Sequence, residues 1–305
     1  MSSPLRRLAT AGILATALTG FGLVSAGPVS AAPAPAPAAR PAGLSATPPS
    51  LSGSAAARAA TADTGTARYA IKGAPPAVGV APKVVRPAAT TFLYGVSYQY
   101  AVADGLFAYQ TVSQPFLSTA DSHSLGELAA QSADGQQIVE IGWTVDRGLN
   151  GDATPHLFVF HWVDRIPSCY NGCGFVPYGP ATIRAGAALP ANTTQFFAIQ
   201  HYLGNWWVAY GSQWIGYFPD SLWGGRFTQT GLNQWFGEVA ASSATPCTDM
   251  GNGLFASNAS ASAITTMGFY NGPAVSKGTY ATHPTLYTAL STGTTSMRYG
   301  GPGAC

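Results

Sequence analysis

The sequence predicts an all-β fold, an antiparallel β-sandwich of two packed sheets with a cleft. Short runs of β-branched and aromatic residues recur through the last two thirds of the 305-residue chain, separated by Gly, Asn, Asp and Pro. No helical pattern alternates with them, so parallel βαβ units are not expected. The predicted strands are 91–102, 136–146, 156–164, 193–203, 205–212, 213–219, 233–243 and 265–272, with 205–212 and 213–219 forming a hairpin.

One short helix is expected among these strands, over 121–132, with Asp121 or Ser122 as its N-cap. The whole of 92–305 has the length of a single domain.

Two segments precede this domain. Residues 1–31 carry Arg6 and Arg7, then an apolar run, then the small-residue pattern Val29-Ser30-Ala31, which predicts a cleaved secretion signal. A membrane anchor is the alternative, but the run is short and rich in Gly and Thr. Residues 32–91 are an Ala/Pro-rich pro-segment or linker, expected to be disordered because such a composition buries little apolar surface. A wall-spanning spacer is equally compatible.

Charge divides at the same boundary. Residues 1–91 carry eight Lys/Arg and one acidic residue, whereas 92–305 carry six Lys/Arg and eleven acidic residues. The basic balance belongs to the leader, so composition gives no case for a nucleic-acid partner. We expect a secreted, extracellular monomer that acts on protein or peptide partners and has no stable membrane insertion after signal cleavage.

The chain has four cysteines, and an even number in a secreted chain predicts two disulfides. Three pairings are possible, and we favour Cys169–Cys173 with Cys247–Cys305. The spacing makes a poor zinc site, since no histidine cluster accompanies it. We expect no metal and no cofactor.

Two of the three glutamates in the chain, Glu140 and Glu238, stand inside strand-like runs, "IVEIGWTV" and "QWFGEVAAS". Strand alternation puts Glu140 and Gly142 on one face and Trp143 on the opposite, core-facing side. Glutamate is rare in such runs and rarely buried without a partner. An exposed glutamate paired with Lys or Arg is the ordinary explanation, but basic residues are scarce here. The two carboxylates are therefore candidates to line a cleft.

Several stretches, in order, resemble the neprosin family of secreted glutamic peptidases. They are "VEIGWTV" (139–145), "HLFVFHWVD" (156–164), "CYNGCGFVPY" (169–178), "GNWWV" to "IGYFPDSLW" (204–223), "FGEVAASS" (236–243) and "DMGNGLF" (249–255). The resemblance implies a β-sandwich with two catalytic glutamates in a cleft, and the matching positions are Glu140 and Glu238.

The chain departs from the family in two ways. Plant members have an activation domain where this chain has only 32–91, so we expect a bacterial-type member whose zymogen control would fall to that segment. Phe236 and Phe218 stand where Gly and Trp are usual, and we expect these changes to alter the specificity. The resemblance implies a preference for cleavage around proline.

The carboxylate pair predicts acid endopeptidase chemistry, with one group ionised as base and the other protonated as acid. Oxyanion or substrate-cleft candidates are Gln137, Gln195, Gln200 and Tyr217. Two alternatives stay open: a glycoside hydrolase using the same two carboxylates, and a non-catalytic carbohydrate- or cell-wall-binding sandwich. The histidines show no HExxH spacing, which disfavours a metallopeptidase.

Overall fold

The computed structural model describes residues 40–51, 68–76, 78 and 90–305, which all belong to one compact unit, Pro35–Cys305. Two antiparallel sheets pack face to face, so the predicted all-β sandwich is confirmed. In spatial order the first sheet has seven strands: β13 (Gly278–Ala281), β1 (Thr91–Tyr100), β11 (Leu232–Ala241), β3 (His123–Gln131), β4 (Ile138–Val145), β5 (His156–Val163) and β6 (Ile166–Pro167).

The second sheet has eight strands: β14 (Thr288–Gly293), β15 (Ser296–Gly300), β12 (Ala263–Tyr270), β2 (Gly105–Val112), β8 (Thr193–Tyr202), β9 (Asn205–Tyr210), β10 (Gln213–Pro219) and β7 (Val176–Pro177). A one-turn helix, α1 (Arg147–Asn150), follows β4, and a 3-10 turn, Asp220–Trp223, follows β10. Each of the eight predicted strands overlaps a strand of these sheets, and β9 and β10 form the predicted hairpin.

The predicted helix at 121–132 is wrong, because this stretch forms strand β3. β3 lies in the middle of its sheet, bonded to β11 on one side and β4 on the other, and all nine of its residues are buried. Leu, Glu and Ala are good helix formers, but ladder bonds on both edges together with burial on both faces outweigh this local preference.

The core lies between the two sheets. Val139, Ile141, Trp143 and Val145 point into it from β4, as the alternation predicts, and Trp143 is completely buried there. The second sheet contributes side chains such as Leu106, Phe197 and Val208 to the same core. The opposite face of β4, which carries Glu140, therefore points away from the sheet-to-sheet core.

Parts of the Ala/Pro-rich segment cover the outer faces of both sheets. Residues 68–76 lie on the outer face of the first sheet, where Lys72 is buried. Residues 40–51 lie on the second, where Leu44 packs with Trp207 and Trp214 donates from its indole nitrogen to Ser45 Oγ at 3.1 Å. The expectation of disorder is wrong for these two stretches.

The predicted signal peptide, 1–31, lies outside the described residues, and the start of the domain at residue 92 stays a prediction. None of the helices in the described part of the chain is long and apolar enough to cross a membrane.

Both favoured disulfides are present in the structure. Cys169–Cys173 closes a small loop beside β5, and Cys247–Cys305 joins the last residue to the segment after β11. The first of these loops carries Tyr170, which becomes part of the site described next.

Candidate active site

All three glutamates of the chain project from the outer face of the first sheet. Glu238 comes from β11, Glu127 from β3 and Glu140 from β4, three strands that lie side by side at the centre of the sheet. Glu238 is opposite Leu125, which stands two residues before Glu127 on β3, so the side chains share one face. All three are completely buried.

Gly142 makes room for one of these carboxylates. A Cβ at Gly142 would lie 2.7 Å from Cβ of Glu127 and 2.1 Å from the carbonyl oxygen of Gly126. The sequence pattern predicted that this space lies beside Glu140. It is instead occupied by the side chain of Glu127, which lies directly across from Gly142 in the strand ladder.

A lysine from the pro-segment fills the space between the glutamates. Lys72 Nζ lies 2.9 Å from Glu127 Oε1, 3.3 Å from Glu140 Oε2 and 3.5 Å from Glu238 Oε2. The lysine side chain is completely buried, with its ammonium 6.0 Å from the ring centres of both Phe158 and Phe236. One ammonium thus brings Glu140 and Glu238 together, and it places Glu127 beside them.

Cleft side chains also bind the backbone on both sides of Lys72. Their donors reach five carbonyl oxygens: Tyr170 Oη to Ile71 (3.3 Å), Tyr94 Oη to Ala74 (2.9 Å), Arg165 Nη2 to Pro75 (3.1 Å), Gln234 Nε2 to Pro76 (2.9 Å) and Tyr100 Oη to Val78 (3.1 Å). These hydrogen bonds hold the main chain, which is the same in every peptide, and they do not depend on particular side chains of the segment.

Gly73 is the tightest point of the segment. Its N–H donates to Glu238 Oε1 at 3.1 Å. A Cβ at Gly73 would lie 2.5 Å from Tyr94 Oη and 2.7 Å from the same carboxylate oxygen. The cleft therefore accepts no side chain at this position while the segment is seated.

The disulfide loop holds the first part of the segment. Tyr170, next to Cys169, forms a β-bridge with Arg68, its N–H donating to the Arg68 carbonyl at 3.0 Å. The Arg68 guanidinium in turn donates to the Leu149 carbonyl on α1. The short disulfide thus fixes a wall of the cleft.

Glu238 is the glutamate whose surroundings favour the charged form. Burial alone would raise the pKa of Glu238, but Lys72, a hydrogen bond from His123 and the Gly73 N–H outweigh it and hold the pKa below its usual value. His123 Nε2 lies 2.8 Å from Glu238 Oε1.

The other two glutamates favour the protonated form. Burial raises the pKa of Glu140 to about 7, and the charge of Glu238 adds to this, although Lys72 and the Trp162 indole N–H at 2.9 Å oppose it. Burial, followed by repulsion from Glu140, raises the pKa of Glu127 well above its usual value. Burial alone would lower the pKa of Lys72, but the three carboxylates together raise it well above normal.

None of the four oxyanion or substrate-cleft candidates contacts a glutamate. The Gln137 amide exchanges hydrogen bonds with Asp164, and Gln195 donates to Thr193. Gln200 and Tyr217 lie on the second sheet, each directly opposite Trp207 in the strand ladder. These two side chains therefore belong to the outer face of the other sheet, away from the site.

The sequence reasoning missed Glu127, Lys72, His123 and Gln234. Glu127 could have been found, because it is the third glutamate and strand alternation over 123–131 would have placed it with the others. Lys72 carries no local signal, since its partners are contributed by distant strands. Among the described residues no group of three His, Cys, Asp or Glu side chains has the arrangement of a metal site.

Fold and site together define a β-sandwich protein with a carboxylate-lined cleft that holds a peptide segment. The Neprosin family model matches residues 120–302, more than half of the chain. The chain belongs to the neprosin family.

Solved structures show distant similarity of fold. Scytalido-glutamic peptidase with a peptide-based transition state analog is 9% identical, with a TM-score of 0.36 over 69% of this chain and 99% of that one. SCP-B, a member of the Eqolisin family of peptidases in complex with a tripeptide, is 9% identical, with a TM-score of 0.38 over 70% and 99%. A carbohydrate-binding module from Bacillus subtilis is 10% identical, with a TM-score of 0.28 over 52% and 81%. At these TM-scores the similarities say nothing about the chemistry of the site.

Proposed function

We propose that this chain is a secreted glutamic endopeptidase, active at acid pH, in which Glu238 and Glu140 hydrolyse peptide bonds. The observation that carries the proposal is the peptide segment lying across the glutamates, bound through its carbonyl oxygens by five side chains. A cleft that binds main-chain carbonyls on both sides of a carboxylate cluster suits a polypeptide substrate. Membership of the neprosin family and the two disulfides agree with a secreted peptidase.

The unequal surroundings of the two carboxylates suggest their roles. Glu238, whose pKa is lowered, is the base that takes a proton from water as the water oxygen attacks the peptide carbonyl. Glu140, whose pKa is raised to about 7, is protonated at acid pH and gives its proton to the leaving nitrogen as the C–N bond breaks. Glu238 then releases its proton to solvent and Glu140 takes one up from solvent, which restores the starting state of both groups.

Main-chain binding falls to the phenols of Tyr94 and Tyr170, which donate to carbonyls on either side of Lys72. Burial raises the pKa of both phenols well above the usual value, so both keep the proton they donate. We assign them to substrate positioning.

The same geometry supports zymogen control by residues 68–76. The Lys72 ammonium occupies the space between the carboxylates where the attacking water would have to stand, and it neutralises the base. Catalysis therefore requires the segment to leave the cleft. We also propose that the chain is a bacterial-type member of the family. We propose a preference around proline as well, because the cleft donors bind the carbonyls of Pro75 and Pro76 without needing their backbone N–H.

The test is acid proteolysis by the purified secreted protein. Denatured casein and a mixed peptide library are incubated from pH 2 to pH 7 with the native protein, Glu140→Gln and Glu238→Gln, and products are identified by mass spectrometry. Asp152→Asn is the matched control, since its carboxyl is half exposed and lies outside the cleft. We expect cleavage at acid pH that both glutamine variants abolish and the control retains.

Cleavage that survives both glutamine substitutions, or no cleavage at any pH after the segment has been removed, would contradict the proposal. Polysaccharides are assayed in parallel for release of reducing ends. The two relevant oxygens of Glu140 and Glu238 lie within 3.3 and 3.5 Å of one nitrogen and hence within about 7 Å of each other, a separation that glycosidases also use. Sugar binding that persists without either glutamate would instead indicate a non-catalytic module.

A further inference from the structure

A histidine and an aspartate stand behind Glu238, outside the carboxylate pair. His123 Nε2 lies 2.8 Å from Glu238 Oε1, and His123 Nδ1 faces Asp146 Oδ2 at 3.9 Å. His123 is completely buried, and its Nδ1 has no hydrogen-bond partner among the described residues. The ring is thus placed between two carboxylates, one on each nitrogen.

The fold accounts for this placement. His123 is the first residue of β3, opposite Ala240 on β11, so its side chain shares the outer face with Glu238. Asp146 follows the end of β4 and caps α1, with Oδ1 accepting from the Leu149 N–H at 2.9 Å. Its other oxygen, Oδ2, is left for the imidazole.

We propose that His123, supported by Asp146, is a positioning residue that keeps Glu238 ionised and oriented once the segment 68–76 has left the cleft. The inference about the state of Glu238 rests on geometry, and its meaning for catalysis rests on the proposed function.

The hydrogen bonds to Glu238 carry the argument. Three groups of the described chain donate to its carboxylate: Lys72, Gly73 and His123. The first two belong to the segment and leave with it, whereas His123 belongs to the sheet and stays. A carboxylate that keeps a charged hydrogen-bond donor stays ionised more readily than one that does not.

The neighbours of Glu238 make such a donor necessary. Titratable groups face Glu238 or His123 from every surrounding element: Lys72 from the segment, Tyr94 from β1, Glu127 from β3, Glu140 from β4, Asp146 before α1 and Tyr170 from the disulfide loop. Without Lys72 these neighbours are acidic or neutral, and they favour protonation of Glu238. His123 remains, and both its hydrogen bond and its charge lower the pKa of Glu238.

Glu140 lacks an equivalent partner. Its remaining donor is the Trp162 indole N–H at 2.9 Å, which is neutral at every pH of interest. A cationic donor on one carboxylate and a neutral donor on the other make the pKa values of the two groups unequal. Glu238 therefore becomes the base and Glu140 the acid.

The composition of the chain permits a direct test. Its three glutamates all lie in this site, so ¹³C labelling of glutamate side-chain carboxyls gives three resonances, each reporting one site residue. The full chain is titrated by NMR with Gly73→Ala in every variant, because the added Cβ does not fit beside Tyr94 and Glu238 and so unseats the segment. Glu238→Gln assigns the relevant signal. Two variants follow: His123→Gln, which keeps an amide donor without the charge, and Asp146→Asn, which removes a charge but keeps a good helix cap. His201→Gln, which breaks a comparable pair with Asp220 at 2.9 Å, is the matched control.

We expect the titration midpoint of the Glu238 carboxyl to rise by about 1 to 2 pH units in His123→Gln, the shift typical of losing one adjacent opposite charge. Asp146→Asn should move it less, in the same direction, and His201→Gln should leave it unchanged. If the peptidase proposal also holds, the acid limb of kcat/KM against pH moves upward in parallel.

An unchanged Glu238 midpoint in folded His123→Gln would overturn the inference. Should that variant fail to fold, Asp146→Asn decides, and an unmoved midpoint there has the same meaning. A shifted midpoint in a protein without any peptidase activity would instead leave the positioning of Glu238 standing and remove the proposed function.

Discussion

Replacing Glu140 with glutamine should remove a large part of the pH dependence of folding stability. Burial raises the pKa of Glu140 to about 7 from its ordinary value of 4.5. A raised folded-state pKa means that the native state favours the protonated carboxyl. Its contribution is fully present below the unfolded-state value and is lost as pH rises through about 7.

The size of this effect follows from the two pKa values. A pKa difference of about 2.5 units at 1.36 kcal/mol per unit amounts to about 3 kcal/mol of unfolding free energy. This stabilisation is lost as pH rises from roughly 4.5 to 7.5. Glutamine has the same shape and does not titrate, so Glu140→Gln lacks this loss. Glu238, whose pKa is lowered, acts in the opposite direction and only at more acid pH, so it does not mask the window.

Urea unfolding with disulfides intact, at half-unit steps from pH 4 to pH 8, measures the effect. The free energy of unfolding of the native protein should fall across the window by about 3 kcal/mol more than that of Glu140→Gln. Asp152→Asn, altered at a half-exposed carboxyl, should follow the native curve. Parallel curves for the native protein and Glu140→Gln would refute the argument that Glu140 is held protonated by its burial.

Three further predictions concern the segment, the sheet and the disulfides. Gly73→Ala should unseat the segment, so that trypsin cuts after Lys72 at neutral pH, which mass spectrometry of the products detects. The native protein and Gly179→Ala, whose added Cβ has no neighbour within 4 Å, should resist cleavage there. Continued protection of Lys72 in Gly73→Ala would contradict the tight fit. Gly142→Ala should lower Tm by many degrees, since its Cβ meets backbone, and a Tm matching that of Gly179→Ala would contradict this. Replacing Cys247 and Cys305 with serines should lower the free energy of unfolding in urea by about 4 kcal/mol, and replacing Cys169 and Cys173 should lower it by about 2 kcal/mol, because the first disulfide closes the longer loop. Equal losses in the two variants would contradict the loop-entropy argument.

Strand alternation predicted much of the fold and two of the three glutamates of the site. The pattern in β4 and β11 is strongly β-branched and aromatic, so the faces of Glu140 and Trp143 followed from period two alone. The stretch that became β3 is rich in Leu, Glu and Ala, whose local preference is helical, and sheet pairing on both edges overrode it. Because this stretch was predicted as a helix, Glu127 was not predicted to share a face with the other two glutamates.

The contacts of Lys72 and His123 were beyond sequence reasoning for a different reason. Lys72 is separated from its partners by 55 to 166 positions, and the composition around it is typical of chains that bury nothing. The His123–Asp146 contact arises only when the start of β3 and the end of β4 meet in the ladder. Such pairings are set by the register, which the sequence does not state.

Main-chain binding of the segment has a consequence for what its sequence must contain. The cleft binds carbonyl oxygens, which are the same in every residue. It contacts particular side chains of the segment at Arg68 and Lys72, and it excludes a side chain at Gly73. A region of almost featureless composition can therefore act as a plug of high selectivity. Most residues of the segment could be exchanged without weakening its binding, provided that an arginine stays at position 68 and a lysine followed by a glycine reaches the centre of the sheet.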